Sequence, residues 1–155
     1  MTQIPTTPYP PAPYAPRQAD TAGVLGGRLL AYLVDLAIVG LLWGVFVVVL
    51  LVLGFLTFGL AWMLIAPLFP VVAVLYSGLT VSGPNRGTVG MRMAGVELRT
   101  LDGGTVPFVV AAVHAIFFYV SVSFLTPFIV LFGLLRSDRR LLHDLLAGVI
   151  AVRRR

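Results

Sequence analysis

Between residues 36 and 85 the chain has no Asp, Glu, Lys or Arg, while a single bilayer crossing needs only about 20 apolar residues. That stretch and its lead-in are long enough for two crossings. The pattern predicts a first helix over 27–53, a hairpin at the glycine-flanked dip 54–59, and a second helix over 60–81. Pro67 and Pro70 are kink points in the second. Gly40 and Gly44 form a GxxxG pair, a spacing that permits close helix approach but is a weak dimer signal in so glycine-rich a chain.

A polar connection follows over 83–106. Val96, Glu97, Leu98, Arg99, Thr100 and Leu101 alternate apolar and polar, as in a short strand, and Asp102-Gly103-Gly104 marks a turn. Gly87, Gly90 and Gly95 lack phosphate-loop spacing and a following Lys-Ser/Thr, so they read as structural punctuation. Residues 107–135 are apolar again, with His114 their one ionisable group and a break at 121–127.

If 107–135 crossed once, either orientation would export several arginines, whereas entry and return on one side keeps them all cytoplasmic. The run is too short for two full spans of about 30 Å, so a bent or re-entrant segment is expected. Beyond it, 141–152 sorts at helical period: Leu141, Leu142, Leu145, Leu146 and Val149 share one arc, and His143, Asp144, Ala147 and Gly148 the other. That suits an interfacial helix with its leucines in lipid. The alternative is a helix that stops at Gly148 and continues extended. Six of eleven prolines fall in 1–22, which is expected to be a disordered, partly polyproline II cytoplasmic tail rather than a secretory signal. The remainder, 23–155, forms one membrane domain.

Composition agrees. Of 155 residues, 59% are hydrophobic and 11% charged, and the mean hydropathy is +1.00, far from a soluble domain with about 25% charged residues. The absence of cysteine excludes thiolate metal sites and a cysteine nucleophile. All eleven basic residues are Arg, and the net charge is +5. Arg136, Arg139, Arg140, Arg153, Arg154 and Arg155 are assigned to anionic headgroups at the membrane surface rather than to nucleic acid. The fold class is therefore an all-α integral membrane protein: two transmembrane helices, a bent or re-entrant third segment, a short cytoplasmic loop with room for a small strand pair, and a C-terminal interfacial segment. Both termini are expected in the cytoplasm.

Arg28 and Asp35 are seven positions apart, on one helix face and about 10 Å apart along the axis. An acid within the hydrocarbon costs about 3 kcal/mol and needs a partner or water. Asp35 is then either a structural acid, paired with an arginine or capping backbone donors, or an ion- or proton-linked group.

The run Gly27-Arg28-Leu29-Leu30-Ala31-Tyr32-Leu33-Val34-Asp35, followed far downstream by Leu142-His143-Asp144-Leu145-Leu146-Ala147-Gly148, resembles the pattern of the RDD family of bacterial inner-membrane proteins. The arginine and two aspartates of that name fall on Arg28, Asp35 and Asp144. The stretch Thr88-Val89-Gly90-Met91-Arg92 is similar to the family's Thr-x-Gly-Lys-Arg motif, with Met91 in place of Lys. His114 stands about where many members carry an Arg in the third hydrophobic segment. The resemblance implies a small polytopic protein of the bacterial inner membrane, with transport, including sodium/proton exchange, proposed for some members.

Two functions follow. One is transport-linked: cation/proton exchange by an oligomer, with Asp35, Asp144 and His114 exchanging protons, cations or the Arg28 partner. The alternative is a non-catalytic membrane interaction or assembly component in which the same residues are a polar clasp. An enzyme is not expected, because no HExxH, Gly-x-Ser-x-Gly or plausible Ser-His-Asp set is present. No cofactor or metal is called for. The expected partners are anionic lipid and a second copy or another membrane protein. Near the cytoplasmic interface, Asp144 should approach Arg28.

Overall fold

The computed structural model describes residues 24–135 and 141–154, with side chains to 122 and from 141. The tail 1–22 and Arg136, Arg139, Arg140 and Arg155 lie outside the described residues. Helix α1 (Val24–Leu56) is proline-free and apolar apart from Arg28 and Asp35. At 33 residues it is about 50 Å long. It ends where the Thr57 hydroxyl donates to the Leu53 carbonyl at 2.8 Å and accepts from the Ala61 amide at 3.1 Å. A 3-10 turn (Leu60–Leu64) leads into α2 (Ile65–Ser82). Pro67 sits in the first turn of α2, where a missing N–H costs nothing, and Pro70 lies inside the helix.

Two helical stretches, Val24–Leu56 and Leu60–Ser82, are long and apolar enough to cross a membrane. Their exposure separates them from the core helices of a soluble protein. Leu41 is 71% exposed, Phe55 76% and Met63 75%, and each such side chain in water would forfeit about 1.5–3 kcal/mol. Lipid is the solvent that suits these faces. Between the helices, Val39, Val72 and Ala73 form a small buried core flanked by Tyr76 and Tyr119. Gly40 and Gly44 face open space and mediate no close approach among the described residues.

After α2 the chain forms a polar cap on one end of the bundle. It consists of the short helix α3 (Val89–Met93), strand β1 (Val96–Thr100), and, from the C-terminus, helix α5 (Leu142–Ala147) and strand β2 (Val149–Arg153). Between the halves of the cap runs α4 (Phe108–Leu135). The alternating segment is a strand as expected, but its partner comes from the C-terminus. β1 and β2 pair antiparallel, with Val96 opposite Arg153 and Thr100 opposite Val149. The expected interfacial helix over 141–152 is thus corrected to its alternative, since Gly148 takes a left-handed conformation (φ 65°), ends α5 and starts the strand. The reason is local: β-branched Val149, Ile150 and Val152 favour an extended backbone. The strand pair packs on the bundle through Val81, Leu98, Val106, Ala111 and Val149, and through Val24, Val96 and Ala151.

The backbone of α4 is helical throughout 108–135, so the break expected at 121–127 does not interrupt it. Arg28, Arg86, Arg92, Arg99, Arg153 and Arg154 all belong to the cap or to the end of α1 beneath it. Arg153 and Arg99 lie in the ladder, the Arg86 carbonyl accepts from Leu98, and Arg154 donates to the Gly95 carbonyl and to Asn85.

The register is testable in a chain without native cysteine. Cysteines placed at Arg99 and Ile150, which face each other across the ladder, should join under mild oxidation, as read by mass spectrometry. A pair at Arg99 and Ala151, one residue out of register, should remain reduced.

Candidate functional site

The inner edge of α1 carries Val24, Arg28, Ala31, Asp35 and Val39, spaced three or four residues apart, so one helix face presents both charges to the cap. At its outer end Arg28 meets Asp144 through two hydrogen bonds, Nη1 to Oδ2 at 2.5 Å and Nη2 to Oδ1 at 2.6 Å. His114, from the second turn of α4, places Nε2 2.9 Å from Oδ1. A carboxylate only accepts, so that nitrogen carries the proton. The Leu141 amide donates to Oδ2 at 2.9 Å, so the third residue of α5 also caps its own helix. Asp144 is fully buried and binds groups from α1, α4 and the start of α5.

His143, also fully buried, places Nε2 3.2 Å from Arg28 Nη2 and 3.5 Å from Asp144 Oδ1. Burial, with the nearby Arg28 charge, pushes its imidazole down to about 3 despite the opposing Asp144 charge, so it is neutral and Nε2 accepts from Arg28. Its proton then sits on Nδ1, which has no hydrogen-bond partner among the described residues. For Asp144, burial alone would raise the pKa. The Arg28 charge and the hydrogen bonds from His114 and Arg28 outweigh it and hold the carboxyl well below the usual range.

Two turns further along α1, Asp35 is buried and is met only by uncharged donors: the Thr88 hydroxyl to Oδ2 at 2.5 Å, the Tyr76 hydroxyl to Oδ1 at 2.7 Å, and the Gly90 amide to Oδ1 at 2.8 Å. Thr88 also caps α3, accepting from the Met91 amide at 3.1 Å, and Tyr76 accepts from the Val89 amide at 3.1 Å. No cationic side chain among the described residues lies within ion-pair distance of Asp35, so the expected pairing with an arginine is replaced by the capping alternative. Gly90 is required by closeness: a Cβ there would lie 2.2 Å from the Ala31 carbonyl oxygen and 2.8 Å from the Asp35 carboxyl carbon. The apolar exposed face of α1 begins at Leu29, 63% exposed, and ends near Leu56. That is about 40 Å, the thickness of a whole bilayer with its headgroups. Asp35 lies six residues, about 9 Å, along the axis from Leu29.

A family model described as the RDD family matches residues 22–148. The chain belongs to the RDD family. No curated protein and no solved structure matches it. Arg28, Asp35 and Asp144, expected together from the sequence motifs, fall into two centres: Arg28 and Asp144 form one, and Asp35 holds the other. Between them lies a cavity of about 60 Å3 whose lining includes Arg28, Tyr32, Ser77, Thr88 and His114. His114 lies beside Asp144 at one edge of that cavity. Met91 lines the cavity and packs on the apolar core.

Sequence reasoning overlooked His143, Tyr76, Thr88 and Gly90 as members of the site. Thr88 carried a signal, since a threonine directly before a short helix is a cap candidate. Tyr76 carried none within its apolar run. His143 appeared in the motif but sorted only as a polar-face residue.

Two outcomes follow. His143 has a folded pKa below its ordinary 6.5, so on acidification the unfolded chain takes up a proton that the folded chain refuses. Thermal stability of the detergent-solubilised protein should fall as pH drops below about 6.5, by up to about 1.4 kcal/mol per unit. His143→Gln should flatten that slope above pH about 5, while the Asp144 contribution, present above its ordinary 3.8, is lost only in stronger acid. Gly90→Ala, which forces a Cβ against backbone, should lower the melting temperature by the equivalent of about 1–3 kcal/mol.

Proposed function

We propose that the chain is a non-catalytic interaction or assembly component of the bacterial inner membrane, in which Arg28, Asp35 and Asp144 clasp a cytoplasmic cap onto a lipid-embedded helix bundle. The observation that carries this reading is the saturation of both carboxylates by donors from segments far apart in sequence. Asp144 accepts from Arg28, His114 and the Leu141 amide, and Asp35 from Tyr76, Thr88 and the Gly90 amide. Orientation follows from charge: with the arginine-rich cap at one end, the positive-inside rule puts that end in the cytoplasm, and Arg153 and Arg154 then meet anionic headgroups. The long exposed faces of α1 and α2 contact lipid and either a second copy or another membrane protein.

A second reading, exchange of a proton and a cation through Asp35, draws on one observation. This acid has no cationic partner among the described residues, and the cavity of about 60 Å3 opens beside Thr88, which binds it. Transport by so few helices would require an oligomer.

In the clasp reading, Arg28→Ala and Asp144→Ala should each cost about 3–5 kcal/mol, because each strands a buried partner. The double variant should cost little more than either alone, a coupling read from melting temperatures in a double-mutant cycle. Asp35→Asn keeps an acceptor for Tyr76 and Gly90 and should remain folded with a smaller loss. Cation-dependent proton flux in proteoliposomes that disappears with Asp35→Asn would favour transport; strictly additive losses at Arg28 and Asp144 would sink the clasp.

A further inference from the structure

The surroundings of Arg28 have the makings of a metal site. His114, His143 and Asp144 are all buried, and one donor atom from each lies within 4.8 Å of the others. Asp144 Oδ1 is 2.9 Å from His114 Nε2 and 3.5 Å from His143 Nε2. Those separations bracket the spacing of about 3.3 Å between neighbouring ligands of a tetrahedral ion with bonds of about 2.0–2.1 Å. The occupant of this cradle is itself a cation, because Arg28 Nη2 sits 2.6 Å from Oδ1 and 3.2 Å from His143 Nε2. Two imidazoles and one carboxylate suit a borderline divalent ion such as zinc, cobalt or nickel, and not calcium or magnesium, which take oxygen ligands.

A second observation concerns where the guanidinium could go. The cavity of about 60 Å3 is bordered by Arg28 itself and by the hydroxyl-bearing Tyr32, Ser77 and Thr88. Thr88 touches Asp35, the carboxylate without a cation among the described residues. A displaced Arg28 thus has a space to enter that is mostly apolar but carries these hydroxyls, with Asp35 bonded to one of them, Thr88.

We propose that His114, His143 and Asp144 form a binding site for a divalent transition-metal ion, with the Arg28 guanidinium as its tethered competitor. Metal entry requires the His114 tautomer that carries its proton on Nδ1, which frees Nε2 for the ion; the ion takes Oδ1 of Asp144 and swings Arg28 toward the cavity beside Asp35. The ion thereby loosens the joint between α1 and the C-terminal half of the cap. The site stands independently of the clasp reading, since three ligands can converge whether or not the Arg28–Asp144 pair stabilises the fold.

The test is cobalt titration of the purified full chain in detergent, carrying no polyhistidine tag, with visible ligand-field absorption as the readout. Wild type should give bands of tetrahedral intensity that zinc displaces. Arg28→Met, lacking the competitor, should bind more tightly. His114→Ala and His143→Ala should each weaken binding by at least the roughly 10–100-fold that loss of an outer-shell partner costs. Absence of bands from wild type at saturating cobalt overturns the site, as does binding that survives both histidine substitutions. Should Arg28→Met fail to fold, the wild-type and histidine measurements decide alone. Additive losses at Arg28 and Asp144 would sink the clasp while leaving this site standing.

Discussion

A carboxylate fully removed from solvent, as at Asp144, is tolerable only when several donors converge on it, and this requirement organises the cap. The donors come from α1, from the second turn of α4 and from the backbone at the start of α5. Satisfying them fixes three elements at one point. With α5 anchored there, the left-handed Gly148 directs the next residues along β1. The two-stranded ladder would be marginal alone. It is held because its apolar side covers Val24, Val81 and Ala111.

Asp35 solves the same problem with different chemistry. Its three donors are neutral, and two of them, Thr88 and Tyr76, also accept from the first turn of α3. The acid therefore acts as an organiser of local backbone more than as half of an ion pair. Because Arg28 and Asp35 lie on one face of α1, this helix anchors both halves of the cap, the loop after α2 through Asp35 and the C-terminal segment through Arg28. Gly90 permits the approach, since the α3 backbone lies against the Ala31 carbonyl.

At 114 an imidazole donates one hydrogen bond to a carboxylate that already holds a guanidinium. At 91 a thioether lines the cavity where an ammonium would demand a counter-charge. The cavity is lined mostly by apolar side chains, among which Tyr32, Ser77 and Thr88 contribute hydroxyls.

Much of the architecture is local in origin and legible along the chain. Two helices long and apolar enough to cross a membrane follow from fifty charge-free positions, since neither water nor a small core can solvate so many leucines and valines. The reversal after α1 and the strand character of 96–100 also come from nearest-neighbour preferences. The pairing of Arg28 with Asp144 was foreseeable because two opposite charges at one depth have few other partners. Tertiary structure alone decided that β1 pairs with the C-terminus, that Asp35 binds hydroxyls and an amide, and that His114 and His143 join Asp144. These outcomes join segments 30 to 57 positions apart. Sequence spacing carries no information about such distances, because the chain between can close in many ways. Only simultaneous satisfaction of the buried polar groups selects one.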